Sequence, residues 1–349
     1  MMRRIFFAGL VCLQLAACNL PFSSAARETS EPDLLTVTPP TPVGAVGEVP
    51  RPTPTRSALG TEENPLILTL PPSVSVNGQR VEAGKRFADL LSEETGYAFV
   101  VVVPETYARL VAALGQGNAH LSFLSPYAYA YAYDQGTATA AFAGLKSGEK
   151  FYGAQFIARA DAGFEPFFDA ITGTNSADAG TALTQLNEKK PCWADEVSAS
   201  GHVIPAGILA ANGVQVRPAA ILQGQPAVVR AVYVGGICDF GATYIDARTF
   251  PTVRETYPDV LEKVSVIWQV PPVIPYENLS LAASLPPDMD RSLREAMFRI
   301  TGTQAGREIL LQAYGIEYWE PVSDQIYEAF RTYLGASGID VPGLMEAEP

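Results

Sequence analysis

The chain has 349 residues, of which 48% are hydrophobic and 17% charged, with a formal charge of −13. That length suffices for two lobes with separate cores. The acidic balance excludes nucleic acid as a partner, because binding a phosphate backbone needs a basic face; a small anion remains open, since a few oriented N–H and hydroxyl groups can hold one.

The N-terminus reads MMRRIFFAGLVCLQLAAC, with two arginines, an apolar run and small residues before Cys18. This is the pattern of a secretory signal over residues 1–17, too short for a transmembrane helix. Leu15–Cys18, LAAC, has the form of a bacterial lipobox, which implies cleavage before Cys18 and a lipid thioether on it. The alternative is an ordinary signal with a chance cysteine, but Cys18 ends the apolar run where cleavage is expected. Residues 18–65 then form a proline-rich tether with little apolar periodicity, expected to be extended and disordered.

Strand and helix patterns alternate from Leu66 onward. LILTL (66–70) and YAFVVVV (97–103) are buried-strand runs, and the segment between them repeats apolar residues at helical spacing up to Gly96. ETYARLVAALGQG is a predicted helix and AHLSFL a predicted strand. SPYAYAYAYDQG (125–136) alternates Tyr and Ala with the period of a strand. Ser125 as cap and Pro126 at the first helical position nevertheless favour a helix. TATAAFAGL and FYGAQFIAR (151–159) follow as strands, TALTQLNEKK as a helix and PCWAD as a strand.

DEVSASGHVIPAGILAANG (195–213) places Ser198, Ala199, Ser200 and a glycine at the start of an apolar helix. A serine there is a preferred N-cap. The same turn can also seat an anion, because a helix N-terminus offers free N–H donors and partial positive charge. VQVRPAAIL, QPAVVRAVYVGG and ICDFGATYI are predicted strand, helix and strand. Residues 263–283 are two strand segments interrupted by prolines, and the C-terminal part is helical. Alternation of this kind implies an α/β fold with mainly parallel sheets.

Once Cys12 and Cys18 are set aside, Cys192 and Cys238 remain. Outside the cytoplasm such a pair is expected to be oxidised, two free buried thiols being the alternative. The only histidines, His120 and His202, lack ligand spacing with them, so neither a metal site nor a cofactor is expected. No GxSxG, P-loop or HExxH occurs, which makes catalysis the minority reading. A binding cleft needs only convergent polar groups. Tyr107, Tyr152, Ser198, Ser200, Gln225, Asp246 and Glu277 fall at strand ends or helix starts, where α/β sheets place ligands.

Four segments taken together resemble the phosphate-, phosphite- and phosphonate-binding proteins of ABC uptake systems. They are PETYARLVAALGQGNAHLSFLSPYAYAYA, DEVSASGHVIPAGIL, LQGQPAVVRAVYVGGICDFGATYIDAR and VIWQVPPVIPYENLSLAASLPPDMDRSLREAMFRI. The resemblance spans roughly Leu66 to Tyr333. It implies a two-lobed type II periplasmic-binding-protein fold with a two-strand hinge and C-terminal helices. Lobe 1 would comprise 66–150 and 272–349, and lobe 2 would comprise 151–271.

By position, the resemblance implies that Tyr107 and Tyr152 face an oxyanion and that Ser198, Ala199 and Ser200 cradle it. Asp246 and Glu277 match an acidic pair that holds the ammonium of aminoalkylphosphonates. Ala199 stands where the family has Thr, and Gln225 where it has His. Losing a charge-assisted bond costs roughly 1.5–3 kcal/mol against about 1 for a neutral one, so a ligand less charged than a free phosphonate, or another oxyanion, is expected. The implied protein is a monomeric, lipid-anchored extracytoplasmic receptor that delivers its ligand to a permease and ATPase. The alternatives are a hydrolase using Asp246 and Glu277 as acid and base, or a ligand-sensing lipoprotein.

Overall fold

The computed structural model describes residues 57–74 and 77–347. The signal, Cys18 and most of the tether lie outside the described residues. In chain order come β1 (Leu66–Thr69), α1 (Gly78–Thr95), β2 (Phe99–Val102), α2 (Tyr107–Gly115), β3 (Leu121–Leu124), α3 (Pro126–Asp134) and β4 (Ala138–Leu145). They are followed by β5 (Phe151–Arg159), β6 (Phe168–Asp169), β7 (Thr174–Asn175), α4 (Ala179–Leu183), β8 (Pro191–Trp193), α5 (Ile204–Ala211), β9 (Ala220–Ile221), α6 (Gln225–Val234), β10 (Phe240–Tyr244), α7 (Pro251–Arg254) and α8 (Val260–Lys263). The chain ends in β11 (Val264–Pro275), β12 (Asn278–Ala282), α9 (Pro287–Gly302), α10 (Gln304–Tyr314), β13 (Tyr318–Pro321), α11 (Glu328–Ala336) and α12 (Val341–Ala347).

Two main sheets result, with strand orders β13-β4-β12-β3-β1-β2 and β11-β5-β10-β8-β9. Both are mixed rather than mainly parallel. In the first, β1 pairs in parallel with β2 and β3, whereas β12 and β13 enter antiparallel. In the second, β8 pairs in parallel with β9 and β10, and β5 runs antiparallel to both neighbours. The parallel pairs come from strand–helix–strand units. The antiparallel ones arise where β5 and β12 enter directly from the other sheet with no helix between, and β13 keeps the direction of β12 after α9 and α10.

The chain leaves the first sheet through the turn between β4 and β5 and returns at Tyr276 and Glu277 between β11 and β12. These crossings give the two-lobed type II fold. β11 stays paired with β5 through Pro275, with an irregular register between Val270 and Ile274 where Pro271 and Pro272 supply no N–H.

Residues 57–65, expected to be tether, belong to the folded body. Gly60 donates to the Asn64 carbonyl and accepts from Ala98 N–H, and Leu59 packs against the core. Phe123 on β3 is the aromatic hub of the first lobe. It stacks on Tyr314 at 3.5 Å between centroids and meets Phe87 and Trp319 edge-on. At the C-terminal end, α11 packs on α5 of the other sheet's layer. A side chain at Gly207 would collide with the Tyr333 carbonyl, so this close approach needs glycine.

The Tyr-Ala alternation folds as helix α3, with the Ser125 side chain accepting from Ala128 N–H and Pro126 in the first turn. The predicted strand VQVRPAAIL shrinks to Ala220–Ile221, and the predicted helix TALTQLNEKK is only the short α4 followed by a 3-10 turn.

Candidate functional site

A cavity of about 600 Å³ lies between the two sheets, lined by Pro126 and Lys146 from the first lobe's side, by Tyr152, Ser200, Gln225 and Tyr244 from the second, and by Tyr276 and Glu277 at the return crossing. That is within the size range of small-molecule sites.

The serine turn forms its polar wall. Residues Ala199–Val203 make a π-type turn that runs into α5. Ser198 Oγ accepts from Gly201 N–H at 3.1 Å, so Ser198 is the cap of this turn. Gly201 allows the turn to close: a Cβ there would collide with Ala194 and sit 2.9 Å from Ser198 Oγ.

Gln225, at the first position of α6, fixes both hydroxyls. Its Nε2 lies 3.2 Å from Ser198 Oγ and 3.2 Å from Ser200 Oγ, while its Oε1 accepts from Tyr244 N–H at 2.8 Å. An amide nitrogen has two hydrogens, and both are used here. Each serine oxygen therefore accepts, which leaves its own O–H proton free to donate elsewhere. Gln225 thus positions donors and spends its own.

The cavity also has an aromatic lining. Tyr152 stacks on Tyr276 at 5.1 Å between centroids and tilts against Tyr244 at 5.8 Å. Burial pushes the Tyr152 hydroxyl above its ordinary range, and the neighbouring Tyr276 and Glu277 add to the shift. Burial likewise raises Tyr276. Both phenols therefore stay protonated, as donors, at neutral pH.

The charged groups lining the cavity are Lys146 and Glu277. Lys146 Nζ lies 3.3 Å from Glu277 Oε2 and 4.9 Å from the centre of the Tyr276 ring. Glu277 Oε2 has no hydrogen-bond partner among the described residues. Both side chains are about two-fifths exposed, a setting in which an ion pair contributes only about 0–1 kcal/mol.

Of the residues singled out in the sequence, Tyr152, Ser200, Gln225 and Glu277 line the cavity, and Ser198 and Ala199 adjoin them in the same turn. Tyr107 does not line it; as the first residue of α2 it is buried in the hydrophobic core. Asp246 does not line it either. Its carboxylate takes a bidentate bond from Arg248, Nε at 3.0 Å and Nη2 at 2.7 Å, and a 2.7 Å bond from Gln155 Nε2. Its charge is paired with Arg248 and most of its lone-pair sites are occupied, which weakens its draw on an ammonium, and it does not line the cavity with Glu277. Cys192 and Cys238 form a disulfide that joins β8 to the turn before β10.

The sequence reading passed over Lys146, Tyr244 and Tyr276. Nor does the sequence mark the contact of Tyr127, whose hydroxyl reaches across from α3 to donate to the Val197 carbonyl at 2.9 Å.

XAC2383 from Xanthomonas citri, solved bound to ATP and separately to chloride ion, matches with TM-scores of 0.52 and 0.53, 14% identity, and coverage of 81% of this chain and 98% of that one. At that identity the likeness shows the fold alone. A binding-protein component of an ABC phosphonate transporter from Pseudomonas aeruginosa aligns at 16% identity over 81% of this chain and 94% of its own, with a TM-score of 0.43. Among curated proteins no sequence relative matches. The sequence itself identifies the family: residues 75–327 match the profile described as ABC transporter, phosphonate, periplasmic substrate-binding protein, and the chain belongs to that family. It is an extracytoplasmic solute-binding protein of a transport system and not an enzyme. Among the described residues no helix is long and apolar enough to cross a membrane.

Proposed function

We propose that this protein is a lipid-tethered, monomeric receptor that captures a compact organic oxyanion of the phosphonate or phosphite class in the interlobe cavity and passes it to a permease and ATPase. The observation that carries the reading is the pair of serine hydroxyls held by Gln225 with their own protons unspent. Together with those first N–H groups of the turn that Ser198 does not take, they form a neutral oxyanion seat. Three tyrosines lining the same cavity suit an organic substituent better than a fourth oxygen. Neutral donors and an apolar wall both favour a singly charged or esterified ligand over a bare dianion.

Where the ligand also carries an ammonium, Glu277 is its partner; Asp246 is committed to Arg248 and takes no part. The lobes of the receptor are 66–150 with 272–349, and 151–271. Lipid attachment at Cys18 rests on the LAAC motif. Calorimetric titration with phosphate, phosphite, methylphosphonate and 2-aminoethylphosphonate tests the ligand class. Micromolar one-to-one binding of at least one, without turnover, is expected; failure of all four removes it.

A further inference from the structure

The seat formed by Ser198, Ser200 and Gln225 carries no formal charge, and the whole chain is strongly acidic. An oxyanion held there by neutral donors gains further from a cation beside it. Among the described residues lining the cavity, Lys146 is the one basic side chain. We propose that Lys146 supplies the positive charge for the ligand's oxyanion, and that Glu277 holds it in reserve until the ligand takes the carboxylate's place. The inference rests on the oxyanion-receptor reading above and names the residue that makes it work electrostatically.

Three features support this role. The first is the backbone: Lys146 and Glu149 exchange N–H to carbonyl bonds of 3.0 and 3.1 Å, and Ser147 and Gly148 sit at φ 54° and 83°. This tight turn fixes the Cα of Lys146 at the crossing between lobes, while the four-carbon stem above it stays free to swing. The second is the ammonium itself. It makes no hydrogen bond among the described residues and is held only by the charge of Glu277 and the face of Tyr276. An ammonium has three donors, and Lys146 lines the same cavity as Ser200 and Gln225 with its donors unspent. The third is Glu277, whose Oε2 is buried without a hydrogen bond. It holds Lys146 through charge alone, a grip that an incoming oxyanion with properly directed acceptors can replace. A ligand that brings its own ammonium would then find Glu277 vacated.

The test is calorimetric titration of methylphosphonate into the wild type, Lys146→Met, Lys146→Arg and Glu277→Gln, each at low and high salt, with thermal unfolding as the folding control. Lys146→Met is expected to weaken binding at least tenfold and to flatten its salt dependence, because a charge contact is screened by ions and a packing contact is not. Lys146→Arg should stay within a few-fold of the wild type. Glu277→Gln should bind methylphosphonate more tightly, since the competitor for the ammonium is gone. Binding by Lys146→Met within twofold of the wild type overturns the proposal, as does weakening in Glu277→Gln. If the wild type binds methylphosphonate and only these variants behave otherwise, the receptor reading survives while this inference fails; if the wild type binds none of the four anions, both fall.

Discussion

The Tyr127 hydroxyl donates a 2.9 Å hydrogen bond to the Val197 carbonyl, joining a helix of the first lobe to the residue just before the Ser198 cap. The Tyr127 ring packs near Phe330, 6.1 Å between centroids, so its position does not depend on the hydroxyl alone. Tyr127→Phe should keep the fold at a cost of about 1 kcal/mol, the scale of one hydrogen bond. With the serine turn released from this tether, ligand affinity should fall several-fold. Thermal unfolding and calorimetry on the same samples check both; unchanged affinity would mean that the turn needs no brace.

Asp246 gives a pH signature. Burial alone would raise its pKa, but Arg248 and the Gln155 amide more than offset this and hold the carboxyl below its usual range. Because the folded pKa is depressed, the stabilisation is fully present above the unfolded value near pH 4 and is lost as pH falls through the folded one. Asp246→Asn should therefore destabilise the protein at pH 7 by up to about 3 kcal/mol, since it strands the Arg248 charge. The gap to the wild type should close below about pH 4. Melting curves across pH 2.5–7 read this directly. Selectivity between amine-bearing and amine-free ligands should not change.

The Cys192–Cys238 bond closes a 46-residue separation, for which chain entropy gives a stabilisation of about 4 kcal/mol. It ties β8, which ends just before the serine turn, to the approach of β10. Reduction should lower the melting temperature markedly. Ligand binding well below the new midpoint should survive, because Ser198, Ser200 and Gln225 are fixed by their own hydrogen bonds. Loss of binding at low temperature on reduction would show that the seat depends on the bridge.

Much of the fold is legible in the residues. Ser125 and Pro126 overrule a perfect strand period, because a cap and a pre-set φ act locally whereas alternation only describes which faces are apolar. Tyr127 and Tyr129 are buried and Tyr133 is exposed, a helical distribution that no period of two would produce. Sheet direction was not legible. β12 and β13 become antiparallel neighbours of β4 through long-range returns that leave no local mark. The serine turn, Tyr152 and Glu277 could be found from motif position. Tyr244, Tyr276 and Lys146 could not, since a tyrosine at a strand end reads the same whether it packs or lines a cavity, and a lysine in a Ser-Gly turn reads as solvated. The pairing of Asp246 was hidden for a related reason: Arg248 is only two residues away, but their bidentate geometry depends on how the chain turns after β10.

The central claim is that Ser198 and Ser200 donate to a bound oxyanion and do not merely cap a helix. It is tested most directly by titrating the tightest-binding phosphonate into the Ser198→Ala, Ser200→Ala double variant while following its unfolding. The account predicts that affinity drops at least a hundredfold, while stability falls by only ~1–2 kcal/mol, the usual loss for a cap. Retained affinity with the same loss of stability would contradict it.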